Sequence, residues 1–130
     1  MLLTLENGTV VKLEDVSVDR PGQVFAFVMD SRPCDNALIL AKDADMVIME
    51  ATYTDTEVQQ AHEYMHMTAR QAATIARDAG AKELILTHFS QRYLNLSEHQ
   101  RQAREIFPNT HVAHDLDHFE FPKRTRQKGL

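Results

Sequence analysis

Residues 23–29 read QVFAFVM, a nearly continuous apolar run between the turn-rich Asp19-Arg20-Pro21-Gly22 and the acidic Asp30. A run without polar alternation predicts a strand buried on both faces, as in a parallel sheet. Met46–Met49 (MVIM) and the apolar stretch Glu83–Leu86 predict two more such strands. Helical patterns lie between them. Asp35–Lys42 carries Ala37, Leu38, Leu40 and Ala41. Ala69–Ala79 (ARQAATIARDA) places Ala72, Ile75, Ala76 and Ala79 on one face, with Gly80 as the stop. Ser97 and Gln100 have capping-box spacing, which predicts a helix from there to Phe107, ending before Pro108. Strands alternating with helices argue an α/β architecture with parallel pairing and right-handed crossovers.

The flanks are simpler. Leu2–Leu5, the turn pair Asn7-Gly8 and Thr9-Val10-Val11 predict a hairpin. His111–Ala113 and Phe119–Phe121 read as short terminal strands, and Lys123–Leu130 as a frayed basic tail. No repeat, linker or low-complexity tract divides residues 1–130, so a single unit is expected.

The composition sets limits on function. With 43% hydrophobic and 25% charged residues, the chain is rich enough in apolar groups to fold rather than remain disordered. Fourteen basic against nineteen acidic residues give a net charge of −5. A generally basic nucleic-acid coat is absent, and contact with nucleic acid would be local. No apolar run approaches a membrane span, and Met1–Glu6 lacks the basic start of a signal peptide. A single cysteine, Cys34, fits a reducing cytosol, so a cytoplasmic location is expected. Cys34 itself reads as a buried small residue, because no neighbouring basic group lowers its pKa.

Chemistry in open parallel sheets collects beyond the carboxyl ends of the strands. The three strands are followed by Asp30, Glu50 and His88, and His66 lies just before the alanine-rich helix. Two carboxylates and two histidines suit a zinc or manganese ion. Helix capping and solvated loop residues account for the same pattern without any ion. A denser group, His111, His114, Asp115, Asp117 and His118, reads as an exposed edge, since strand alternation splits it between faces. Met29, Met46, Met49, Met65 and Met67 read as gap-filling core. Arg32, Arg92 and Tyr93 lie near Asp30 and His88 in sequence, where an arginine fork suits phosphate or a surface ion pair.

Four ordered blocks carry a resemblance: Asp30-Ser31-Arg32-Pro33-Cys34-Asp35, Glu50-Ala51-Thr52-Tyr53, His66-Met67-Thr68-Ala69-Arg70-Gln71-Ala72-Ala73 and Leu86-Thr87-His88-Phe89-Ser90-Gln91-Arg92-Tyr93. With Phe107-Pro108-Asn109-Thr110, they make the chain similar to ribonuclease Z, the tRNA 3′-end processing endonuclease of the metallo-β-lactamase superfamily. The resemblance implies the C-terminal half of a metallo-β-lactamase-like αββα sandwich. It implies a site of two zinc ions, or manganese, in which Asp30 bridges the metals and His88 is a ligand. It implies a proton-transfer role for the non-ligand His66, and places Ser90 and Arg92 near the scissile phosphate of a precursor tRNA. Two ions can clamp the attacking and leaving oxygens of a phosphodiester.

The family's His-x-His-x-Asp-His block, which supplies most of its metal ligands, does not occur in these residues. Met29, Met49, Met65 and Met67 stand where the family has smaller or more polar residues. Asp30 and His88 are two ligands, whereas a catalytic zinc takes three. Three readings follow. The chain is a ribonuclease Z-like component completed by a partner chain or a longer protein. It is instead a non-catalytic half-fold acting as an interaction or regulatory module. Or it builds a mononuclear site from Asp30, His66 and His88. A half sandwich exposes an apolar sheet face, so a homo-oligomer or a partner supplying the N-terminal part is expected.

Overall fold

The computed structural model describes residues 1–124. Its centre is a four-stranded sheet in the order β3 (Phe25–Val28), β4 (Met46–Glu50), β5 (Leu84–Thr87), β6 (Thr110–Val112). All three pairings are parallel, with Val28 opposite Met49, Met49 opposite Leu86, and Leu86 opposite Val112. The strands are joined by α2 (Asp35–Ala41), by a 3-10 turn (Asp55–Glu57) with α3 (Val58–Glu63) and α4 (Ala69–Asp78), and by α5 (Ser97–Ile106). The α/β expectation stands, and the 3-10 turn and α3 are additions that no strong periodicity announced.

One face of the sheet is closed. Ala26, Val28, Val47, Met49, Leu84 and Leu86 pack with Ala37 and Ala41 of α2, Ala69, Ala72, Ala73 and Ala76 of α4, and Ala103 of α5. Alanine on the helices lets their backbones lie close to the strands, and it costs no side-chain entropy. Thr68 starts α4 with a complete capping box: its hydroxyl accepts from Gln71 N–H, and the Gln71 side chain accepts from Thr68 N–H. Gly80, at φ 71°, ends the same helix where a side chain would meet Asp43.

The other face is partly open. Phe25 and Phe27 are 53% and 55% exposed. This corrects the reading of residues 23–29 as buried on both faces: β3 is an edge strand, and a continuous apolar run does not reveal how many layers cover it. Phe121 meets Phe25 edge-on, with ring centroids 6.3 Å apart, and Phe119 lies 5.9 Å from His111. Residues 119–121 do this outside any strand, contrary to the expected strand.

Three other expectations change. Ser97 does not cap α5; its N–H and hydroxyl both donate to Asn95 Oδ1, at 3.2 and 2.6 Å. Cys34 is exposed, not buried. Of the five methionines, Met46, Met49 and Met67 are core, but Met65 is 61% exposed. The hairpin forms from β1 (Leu2–Thr4) and β2 (Val10–Lys12), followed by α1 (Leu13–Val16), with no buried residue in any of the three. The expected frayed tail falls mostly at 125–130, outside the described residues. No helix among the described residues is long and apolar enough to cross a membrane.

Candidate metal centre

Parallel strands in register deliver their following residues to one rim. Asp30 follows β3, Glu50 ends β4, His88 follows β5, and His66 arrives from the turn after α3. Each of these four offers one ligand atom, and all four atoms lie within 4.8 Å of one another. Asp30 and His88 both adopt the left-handed conformation, at φ 50° and 57°. That region is uncommon outside glycine but is tolerated best by Asp, Asn and His.

Glu50 is 0% exposed, and its two carboxylate oxygens are fully engaged. Oε1 accepts from Ser31 N–H at 2.6 Å. Oε2 accepts from the Thr52 hydroxyl at 2.7 Å and from Met67 N–H at 3.0 Å. His66 Nδ1 lies 3.0 and 3.1 Å from the two oxygens. A carboxylate offers about four lone-pair positions, so four donors saturate it. Glu50 therefore ties three loops together.

The same bonds set the histidine tautomers. An ionised carboxylate only accepts, so His66 Nδ1 carries a hydrogen and Nε2 is left to exchange protons. The Thr52 hydroxyl spends its hydrogen on Glu50, so its oxygen accepts from His88 Nδ1 at 3.0 Å. His88 Nε2 then turns a lone pair toward Asp30 Oδ1, 3.0 Å away. Two lone pairs at that distance are satisfied together by a shared proton or by a cation. Histidine fixed through its other nitrogen is a common arrangement for a metal ligand. The donor set thus fits a divalent ion held by Asp30 and His88, with Glu50 and Thr52 behind them.

Ser90 and Arg92 lie in the loop after His88. Ser90 N–H donates to Thr52 O at 3.0 Å, and the Arg92 guanidinium stands 5.2 Å from the centre of the Tyr53 ring. The Tyr93 hydroxyl accepts from Thr54 N–H and donates to Glu57 at 2.6 Å, which raises the Tyr93 pKa through burial first and that carboxylate second. The residues expected from sequence, Asp30, His66 and His88, converge. Sequence reasoning gave Glu50 no role beyond that of a candidate ligand, and it missed Thr52 and the Tyr93–Glu57 link. Burial of Glu50 at the end of an apolar strand was the available signal. The terminal histidines do not join the site. His111 pairs with Glu83, and His114 with Asp117.

Residues 15–89 match the family model described as beta-lactamase superfamily domain. The ribonuclease Z of Protochlamydia amoebophila is 47% identical over 117 residues, covering 90% of this chain and 38% of that protein. The ribonuclease Z of Nocardia farcinica is 46% identical over 121 residues, covering 92% and 40%. Among solved structures, human tRNase Z, short form, shares 30% identity at a TM-score of 0.62, covering 88% of this chain and 37% of that one. A metallo-beta-lactamase fold protein from Bacillus subtilis shares 27% identity at a TM-score of 0.62, covering 68% and 36%. The chain spans about two-fifths of the length of the curated relatives it matches.

Proposed function

The chain belongs to the beta-lactamase superfamily domain family, and on that premise we propose that it forms part of the active site of a metal-dependent phosphodiesterase that trims precursor tRNA at the 3′ end. The observation that carries this reading is the facing pair of Asp30 and His88, backed by a saturated Glu50. In this reading Asp30 and His88 hold a divalent ion, zinc or manganese, with a second ion completed by ligands from outside these residues. A bound ion there supplies Lewis-acid stabilisation of the charge that develops on the phosphoryl oxygens.

The chain's own residues do the rest. Glu50 holds His66 by Nδ1, which leaves Nε2 as the atom that passes a proton to the departing ribose oxygen. Ser90 and Arg92 stand on the neighbouring loop, where a hydroxyl and a guanidinium can bind the phosphate and orient it. The ribonuclease Z relatives support tRNA as the substrate class. Asp30 and His88 fall short of the three protein ligands a catalytic zinc takes. The exposed Phe25 and Phe27 favour a partner or a longer protein covering the open sheet face. That same face favours a second reading, in which the chain is a non-catalytic interaction module.

The test is cleavage of a 3′-extended tRNA precursor by the purified chain with zinc or manganese, beside a His88→Ala control. Metal-dependent cleavage that the control lacks supports the first reading. A folded chain that never cleaves, alone or supplemented with the N-terminal part of a ribonuclease Z, supports the second. Sedimentation should show self-association, and a monodisperse monomer would contradict it.

A further inference from the structure

His99 is 0% exposed, and neither ring nitrogen has a hydrogen-bond partner among the described residues. Its ring stands edge-to-face with Tyr93 at 4.5 Å and with Phe89 at 5.0 Å. Those two aromatics bracket Ser90 and Arg92, so one side chain of α5 touches both ends of the segment that follows His88. The segment is also tied to residues 52–57 through Ser90 N–H to Thr52 O and through the Tyr93 hydroxyl to Glu57. We propose that His99 is a positioning residue, seating the Phe89–Tyr93 segment while its ring is neutral and releasing it when the ring is protonated. The part concerning phosphate contact rests on the function proposed above; the seating itself does not.

The charged and titratable groups facing His99 are Glu57 from the 3-10 turn, Tyr93 from the segment itself and Glu98 from its own helix. Burial outweighs the two carboxylates and the nearby backbone of Ala51 and Thr52, and holds the His99 pKa below its ordinary value. Glu57 is already engaged by the Tyr93 and Thr54 hydroxyls, so an imidazolium at His99 competes for it with Tyr93. The sign follows. The unfolded chain binds a proton at His99 near pH 6.5 and the folded chain only at lower pH. Stability from this group is full above that pH. It falls as the solution is acidified, by up to tenfold in the folding equilibrium per pH unit.

The test uses the chain as it stands. Ring resonances of His99, Phe89 and Tyr93 are followed by NMR from pH 8 downward, and urea unfolding is measured over the same range for the chain and for His99→Leu. His99 is expected to titrate below the ordinary histidine value of 6.5, with the Phe89 and Tyr93 rings shifting as it does. His99→Leu is expected to lose His99's share of the acid-side destabilisation. Titration of His99 at or above its ordinary value, or rings of Phe89 and Tyr93 that ignore it, overturns the proposal. If the variant fails to fold, the titration of the unaltered chain still decides. None of these readouts needs catalysis, so a chain that does not cleave tRNA leaves this inference standing.

Discussion

Glu50 and His99 are both ionisable and both 0% exposed. Around Glu50 the carboxylate oxygens accept from donors on three loops. Around His99 there are aromatic rings and, among the described residues, no hydrogen bonds. The contrast separates two ways of burying a polar side chain. A carboxylate stays charged inside a protein when a network satisfies it, and then it orders whatever supplies that network. A histidine can instead lose its charge and serve as a flat packing surface, with its proton as the point of weakness.

The largest effect that would break this contrast is at Glu50. Glu50→Ala strands two backbone N–H groups, a hydroxyl and an imidazole, and should cost roughly 3–5 kcal/mol in urea unfolding. A loss below 1 kcal/mol would mean that the network carries little. Thr52→Val removes one donor from Glu50 and the acceptor for His88 Nδ1, with an expected loss of about 1–3 kcal/mol. Thr68→Ala, at a fully buried position, removes the side chain that caps α4, so about 1 kcal/mol is expected by the same measurement. His88→Ala sits at the half-exposed rim. It should change stability by less than about 1 kcal/mol while abolishing metal-dependent cleavage, which an activity assay and a melt read together. On the His99 side, acidifying below about pH 6.5 should destabilise the chain, and His99→Leu should flatten that part of the curve.

How far the sequence foretold this depends on the kind of information. Apolar runs at 23–29, 46–49 and 83–86 placed three strands, and alanine spacing placed α4, because burial against one helix layer writes itself as hydrophobicity. The exposure of Phe25 and Phe27 was not legible, since a strand awaiting a second layer carries the same residues as one already covered. Asp30, His66 and His88 were legible from their positions after strands and from the resemblance. The orienting work of Glu50 and Thr52 was not, because it depends on which of three loops meet. His99 was hidden by its helix: SEHQRQAREI has only Ala103 and Ile106 as apolar residues, too few for their shared face with His99 to announce a buried histidine. Asn95 took the capping groups of Ser97, a local competition that spacing does not resolve.

The account turns on Asp30 and His88 sharing a cation. Equilibrium dialysis against zinc and against manganese, on the chain and on Asp30→Ala, His88→Ala and His99→Leu, tests it most directly. Binding that is lost in both rim variants and retained above pH 7 in His99→Leu is the predicted result. Binding unchanged by either rim substitution, or no binding by the chain when it is folded and joined to the N-terminal part of a ribonuclease Z, would contradict it.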